Sequence, residues 1–140
     1  MIFKATWDWV LGQSPHTGEP KTQTRRPQLP GDIFDADRVV RANGHARWIL
    51  DGRPYTVQSG RGKPGCGAIV ICRIVSCPVV GDISDADARA EGFATPADFR
   101  AVIANLYGAG ALAKPFWALT FRCVEAKPCD VNPVRLSTRV

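Results

Sequence analysis

Between Gly18 and Pro27 the chain sets Lys21, Thr22, Gln23, Thr24, Arg25 and Arg26 side by side, with no large apolar residue among them. A lysine, two hydroxyls, an amide and two guanidiniums do not fill a core. Such a set either binds something anionic or does chemistry. Pro20 and Pro27 bracket the run and push the backbone towards extended or turn geometry. In a flat strand Lys21 and Thr24 would point to opposite faces, so joint action requires a bend or bulge between them. The same residues also suit a solvated sheet edge, where basic groups discourage edge-to-edge pairing.

The elements that must position this run follow from pattern. Phe3, Trp7, Val10 and Leu11 recur at helical spacing, which predicts a short amphipathic helix within residues 3–12, ended by Gly12 and Ser14-Pro15. Residues 27–37 read as turn, with Leu29-Pro30-Gly31-Asp32 a tight reversal. Ala46–Leu50 and Pro54–Gln58 flank Asp51-Gly52, which predicts a hairpin with a type I′ turn. Gly60-Arg61-Gly62-Lys63-Pro64-Gly65 gives a basic loop whose glycines let backbone N–H groups approach a ligand, without the full phosphate-loop pattern. Gly67–Cys77, rich in β-branched residues, predicts a long central strand. Ser84 and Thr95 are N-caps of two helices, the first stopped by Gly92 and the second by Gly108, with Phe99, Val102, Ile103 and Leu106 as the second helix's apolar stripe. Pro115–Glu125 is the last strand, with Trp117, Leu119, Phe121 and Cys123 expected on one face. Trp48 and Tyr55 suit either stacking on a base or packing in the core.

The order helix, strands, helix pair, strand predicts an α+β fold, a small mixed β-barrel with short helices at its ends, over residues 1–125. Residues 126–140 read as a C-terminal tail. At 140 residues, 45% hydrophobic and 22% charged, the chain suits one globular domain. No run approaches the roughly 18–20 apolar residues of a membrane span, and no clean apolar leader opens the chain, so a cytoplasmic protein is expected. The five cysteines show no metal-binding spacing and His16 and His45 lie far from them, so no metal or other cofactor is expected and buried reduced thiols are. The net charge of +5 is uneven: residues 1–81 carry +5, residues 82–112 carry −3 and residues 113–140 carry +3. The basic part holds both the Lys21–Arg26 run and Arg61-Gly-Lys63, as a phosphate-contacting face would.

Three separated motifs, taken together, resemble one family. Gly18-Glu-Pro-Lys21-Thr22-Gln-Thr24-Arg25-Arg26 resembles the G-x-K-T-x-T-x-R signature of the ASCH family, whose fold is the PUA-like barrel. Tyr55-Thr-Val57-Gln58-Ser-Gly60-Arg61-Gly62-Lys63 is similar to the segment that follows it, and Asp82 to Phe93 with Phe99 resembles the family's helical motif. The final strand, Trp117 to Phe121, matches as well, so the resemblance spans roughly residues 3–125. The chain departs from the pattern at Pro20, at Arg25-Arg26 and in an insertion of hairpin length around residues 38–54.

The resemblance implies two functions. Some small stand-alone members are amidohydrolases that remove the N4-acyl group of acetylated cytidine, with a lysine and a threonine of the first motif and a glutamate of the helical motif. By motif these are Lys21, Thr24 and Glu91. Kinship with PUA domains implies instead an RNA-binding module. Thr22, Arg25, Arg26, Gln58, Arg61 and Lys63 are the candidates for substrate or phosphate contact, and the expected partner is a modified nucleoside or RNA. Chemically, Thr24 supplies a hydroxyl nucleophile. Lys21 serves as its base only if its pKa falls well below about 10.4, and otherwise stays charged beside the oxyanion. Glu91 either orients Lys21, moves protons itself, or is a surface acid at a helix end.

Overall fold

A computed structural model describes residues 1–126. Two strands carry the architecture, β6 (Gly65–Cys77) and β7 (Phe116–Ala126), paired antiparallel down the middle of a four-stranded sheet. β1 (Gln23–Pro27) flanks β7 and β5 (Pro54–Gln58) flanks β6, giving the order β1-β7-β6-β5. The continuous apolar run predicted for the central strand buries both faces of β6 from Cys66 to Ile69, and β7 does the same from Phe116 to Leu119. Beyond Ile71 the burial of β6 opens into exposed and buried positions, as its sequence suggests.

The ladder is interrupted at Ala68/Ile69 and Ile71/Arg73, and the β5–β6 ladder at Val57/Gln58. Extra residues of this kind bend and twist the strand that carries them, which is how a sheet begins to curl towards a barrel. A second, three-stranded sheet of β2 (Ile33–Asp35), β3 (Arg38–Val40) and β4 (Ala46–Ile49) closes over it. Its Val39 and Trp48, both fully buried, pack on Ile71, Ile74, Trp117 and Leu119. The fold is therefore α+β and barrel-like. All its ladders are antiparallel, and one isolated parallel bridge joins Ile2 to Gln58.

Helices cover the rest of the core. α1 (Trp7–Leu11) sets Trp7 and Val10, with Phe3, against Val57, Ile69 and Phe121. α2 (Asp85–Ala90), α3 (Pro96–Tyr107) and a 3₁₀ turn (Ala109–Ala113) gather Ile83, Ala88, Phe99, Ile103 and Ala111 around Phe116. Both expected N-caps form: Ser84 accepts from the Asp87 N–H and Thr95 from the Asp98 N–H, with Pro96 opening α3.

Several expectations change. The predicted Ala46–Leu50/Pro54–Gln58 hairpin does not form, because β4 pairs with β3 and β5 with β6. A type I′ turn needs positive φ at both central residues, and only Gly52 has it (φ 83°), Asp51 not being among the positive-φ residues. Asp51 instead accepts from the Arg53 N–H, the chain turns a corner, and the Tyr55 hydroxyl accepts the Ile49 N–H at 2.8 Å. Residues 33–35, read as turn, form an exposed strand. The first helix is confined to Trp7–Leu11, since the Phe3 N–H is drawn to the Gln58 carbonyl at 2.9 Å. Cys72 and Cys123 are exposed rather than buried: Cys72 is the extra residue of a bulge, and β7 beyond Phe121 outruns its ladder with β1. The tail expected from residue 126 lies outside the described residues, apart from Ala126, which ends β7.

The small sheet is an integral part of the core in this arrangement. Trp48→Ala is expected to cost about 3–5 kcal/mol in chemical denaturation, and a loss below about 1 kcal/mol would make that sheet an appendage.

Candidate functional site

Glu91 closes α2, its N–H still bonded to the Asp87 carbonyl, and the chain then reverses through Gly92 at φ +100°. No larger residue fits there, since a Cβ would stand 2.6 Å from the Trp9 ring. The Gly92 carbonyl accepts from the Ser14 hydroxyl at 2.5 Å, and Ser14 is wholly buried. The Ser14 N–H is bonded to the Glu19 carbonyl, the Lys21 N–H to the Trp9 carbonyl and the Thr22 N–H to the Ala90 carbonyl. The loop before β1 is thereby tied to the end of α2, and Lys21 faces Glu91.

The contact is direct and enclosed. The Lys21 ammonium nitrogen donates to the Glu91 carbonyl at 2.7 Å and to Glu91 Oε1 at 3.2 Å, with Lys21 5% and Glu91 3% exposed. Arg25, 6% exposed, donates from Nη1 to Glu91 Oε2 at 2.9 Å and from Nη2 to Asp87 Oδ2 at 3.0 Å. Gln23 Oε1 accepts a further bond from Arg25 Nη1, and the Phe99 ring lies 5.9 Å below the guanidinium. Gln23 and Arg25 are two residues apart within β1, so they share a face. That face meets the one carboxylate.

Thr24 and Arg26 take the alternate direction. Thr24 is buried, pairs in register with Leu119, and its hydroxyl makes no hydrogen bond among the described residues. Lys21 precedes β1, which starts at Gln23, so strand alternation does not fix its direction relative to Thr24. β1 ends the sheet, and a pocket of about 470 Å³ lies against it, lined by Lys21, Thr24, Arg25, Arg26 and Glu91. The rest of its lining is mostly apolar, including Phe3, Phe99, Val102, Leu106 and Tyr107, with Lys4, Thr6 and Asn105 among it. Val102 and Leu106 therefore leave the expected core stripe of α3, whose buried members are Phe99 and Ile103.

Burial pushes the Lys21 ammonium below its ordinary 10.5, and this outweighs the opposing pull of Glu91, with Arg26 and Arg25 adding to the lowering. The shift is towards the neutral form, while the carboxylate partner fixes the position of the amine.

The remaining candidates stand elsewhere. Thr22 is exposed and lines a separate shallow hollow with Glu19, Pro20 and Arg89. Gln58 pairs with the N-terminal segment and donates to the Lys63 carbonyl, while Arg61 and Lys63 lie exposed on that loop; none of the three lines the main pocket. Trp48 and Tyr55 pack in the core. Sequence reasoning missed Ser14, seen only as a helix end, and the pairing of Asp87 with Arg25, hidden behind its place in the Ser84 cap. Among the described residues no group of histidines, cysteines and acids is placed to hold a metal, and no helix is long and apolar enough to cross a membrane. No family model, curated protein or solved structure matches the chain.

Glu91→Ala would strand two buried cations at once. The expected cost is about 3–5 kcal/mol, measured by denaturant unfolding, and the double change Lys21→Met with Glu91→Gln should cost less than the sum of its parts. Additive losses would separate the two residues energetically.

Proposed function

We propose that the protein is a metal-independent amidohydrolase that removes the acyl group from an N4-acylated cytidine or a related modified nucleoside. With it we propose that the barrel-like fold is the PUA-like barrel of the ASCH family. The observation that carries this reading is the buried contact of Lys21 with Glu91 beside a pocket that Thr24 also lines.

The chemistry follows from donor counting. A neutral lysine has two N–H groups and one lone pair. The two acceptors of Glu91, its carbonyl and Oε1, match the two N–H groups and leave the lone pair for the pocket. Thr24 Oγ attacks the acyl carbon, its proton passes to Lys21, and the oxyanion forms beside the resulting ammonium. As the C–N4 bond breaks, Lys21 returns the proton to the departing amine. Water then attacks the acyl-threonine ester, losing a proton to Lys21, and as the C–O bond breaks Lys21 returns that proton to Thr24 Oγ, releasing the acid and restoring the hydroxyl. Glu91 orients Lys21, and Arg25 with Asp87 holds Glu91 in place. A pocket of this volume is within the range of small-molecule sites, and its mostly apolar lining offers a surface to a base or acyl group.

The RNA-binding alternative depends on free cations over a continuous surface. Arg25 is committed to two carboxylates, and the exposed Arg61 and Lys63 sit on a different loop from β1, so the pocket supports the enzyme better.

Incubation with a panel of N4-acylcytidines, followed by chromatography, is expected to release cytidine. Thr24→Ala should lower the rate at least about a hundredfold, as loss of a nucleophile does. Lys21 must be neutral to accept a proton, so activity should rise with pH through a limb whose midpoint lies below 10.5. No release from any member, or full activity in Thr24→Ala, would refute the proposal.

A further inference from the structure

Arg26 is the anomaly of the pocket. Arg25 and Arg41 each meet a carboxylate, Glu91 with Asp87 and Asp32 respectively, whereas Arg100, outside the pocket, donates to the Gly81 carbonyl. Arg26 meets none among the described residues. Its Nη2 donates to the Ile2 carbonyl at 2.8 Å, the Phe3 ring lies 5.2 Å from its Cζ, and its Nε is buried without a hydrogen-bond partner. A half-buried guanidinium normally regains its lost hydration from an anion and from filled donors. Here a backbone carbonyl and a ring face are the return, and burial, with Arg47 adding to it, pushes the guanidinium below its ordinary value despite the opposing effects of Tyr107 and Glu91.

The surrounding charge points the same way. The pocket is lined by Lys4, Lys21, Arg25 and Arg26 against the one carboxylate of Glu91, and both oxygens of that carboxylate are already taken by Lys21 and Arg25. The missing partner of Arg26 is an anion, and the pocket is where it can enter.

We propose that Arg26 is the receptor for an anionic group carried by the substrate, a phosphate on its sugar or a carboxylate on its acyl chain, with Lys4 as the outer cation. Arg26 has unfilled N–H donors for oxyanion recognition, and a guanidinium with two free donors favours such groups over neutral ones. The identity of the substrate as an acylated cytidine rests on the amidohydrolase reading; the anion site does not.

Two measurements separate them. In the first, calorimetry compares cytidine 5′-monophosphate with cytidine on the intact chain. The monophosphate is expected to bind at least about tenfold tighter if the anion is a phosphate, with an advantage that shrinks as salt rises. In the second, turnover is compared among N4-acetylcytidine, its 5′-monophosphate and N4-succinylcytidine. Preference for the monophosphate locates the anion on the sugar, and preference for the succinyl compound locates it on the acyl chain. Arg26→Gln should bring the favoured ratio close to one, while Arg26→Lys should keep part of it. Should Arg26→Gln fail to fold, Lys4→Gln provides the second test and should reduce the same ratio by a few-fold. Anion preference without any deacylation would sink the amidohydrolase reading and leave the site standing. Equal handling of neutral and anionic compounds in both measurements, or a preference that survives Arg26→Gln, would overturn the site.

Discussion

One carboxylate between two buried cations governs this structure. Glu91 receives Lys21 on one oxygen and on its own carbonyl, and Arg25 on the other oxygen, with all three side chains almost out of water. Burying ions is expensive, and a buried pair returns the cost only when geometry is good and the remaining donors are filled. Arg25 meets that condition through Gln23 and Asp87. Lys21 is held by Glu91, and burial pushes its pKa below the ordinary value despite that partner. That imbalance is what turns an ion pair into a candidate base.

The fold supports the arrangement from both sides. Ser14 ties the loop before β1 to the Gly92 corner, and Trp9 fills the space that a side chain at position 92 would need. β1 is an edge strand, so its Lys21–Arg26 run borders a pocket instead of a second ladder. A basic edge would ordinarily discourage pairing with another chain. Here Lys21 and Arg25 are turned inwards onto Glu91, while Arg26 meets no carboxylate among the described residues.

Much of this was legible in the sequence because it was local. Ser84 and Thr95 cap their helices, Gly92 and Gly108 stop them, and the β-branched run of β6 is the central strand, since capping and burial act within a few residues. Lys21, Thr24 and Glu91 were named together only through the family resemblance, and all three line the pocket. What failed was non-local. Asp51-Gly52 looks like a hairpin turn, yet Trp48 has a better burial site over Ile71 and Leu119 than a β4–β5 ladder would offer, and the strands part. Cys72 was misread because nothing in an alternating run announces a bulge. Ser14 was missed because its partner is the carbonyl of Gly92, 78 residues away, and spacing carries no trace of such a bond.

The state of one amine decides whether the proposed base exists. Heteronuclear NMR titration of the Lys21 side chain, assigned by comparison with Lys21→Met, reads it directly. A midpoint clearly below 10.5, moving further down in Glu91→Gln where the opposing carboxylate charge is gone, is the expected result. A midpoint at or above 10.5 would mean that Glu91 holds Lys21 as a permanent ammonium, and the base assigned to it would not exist.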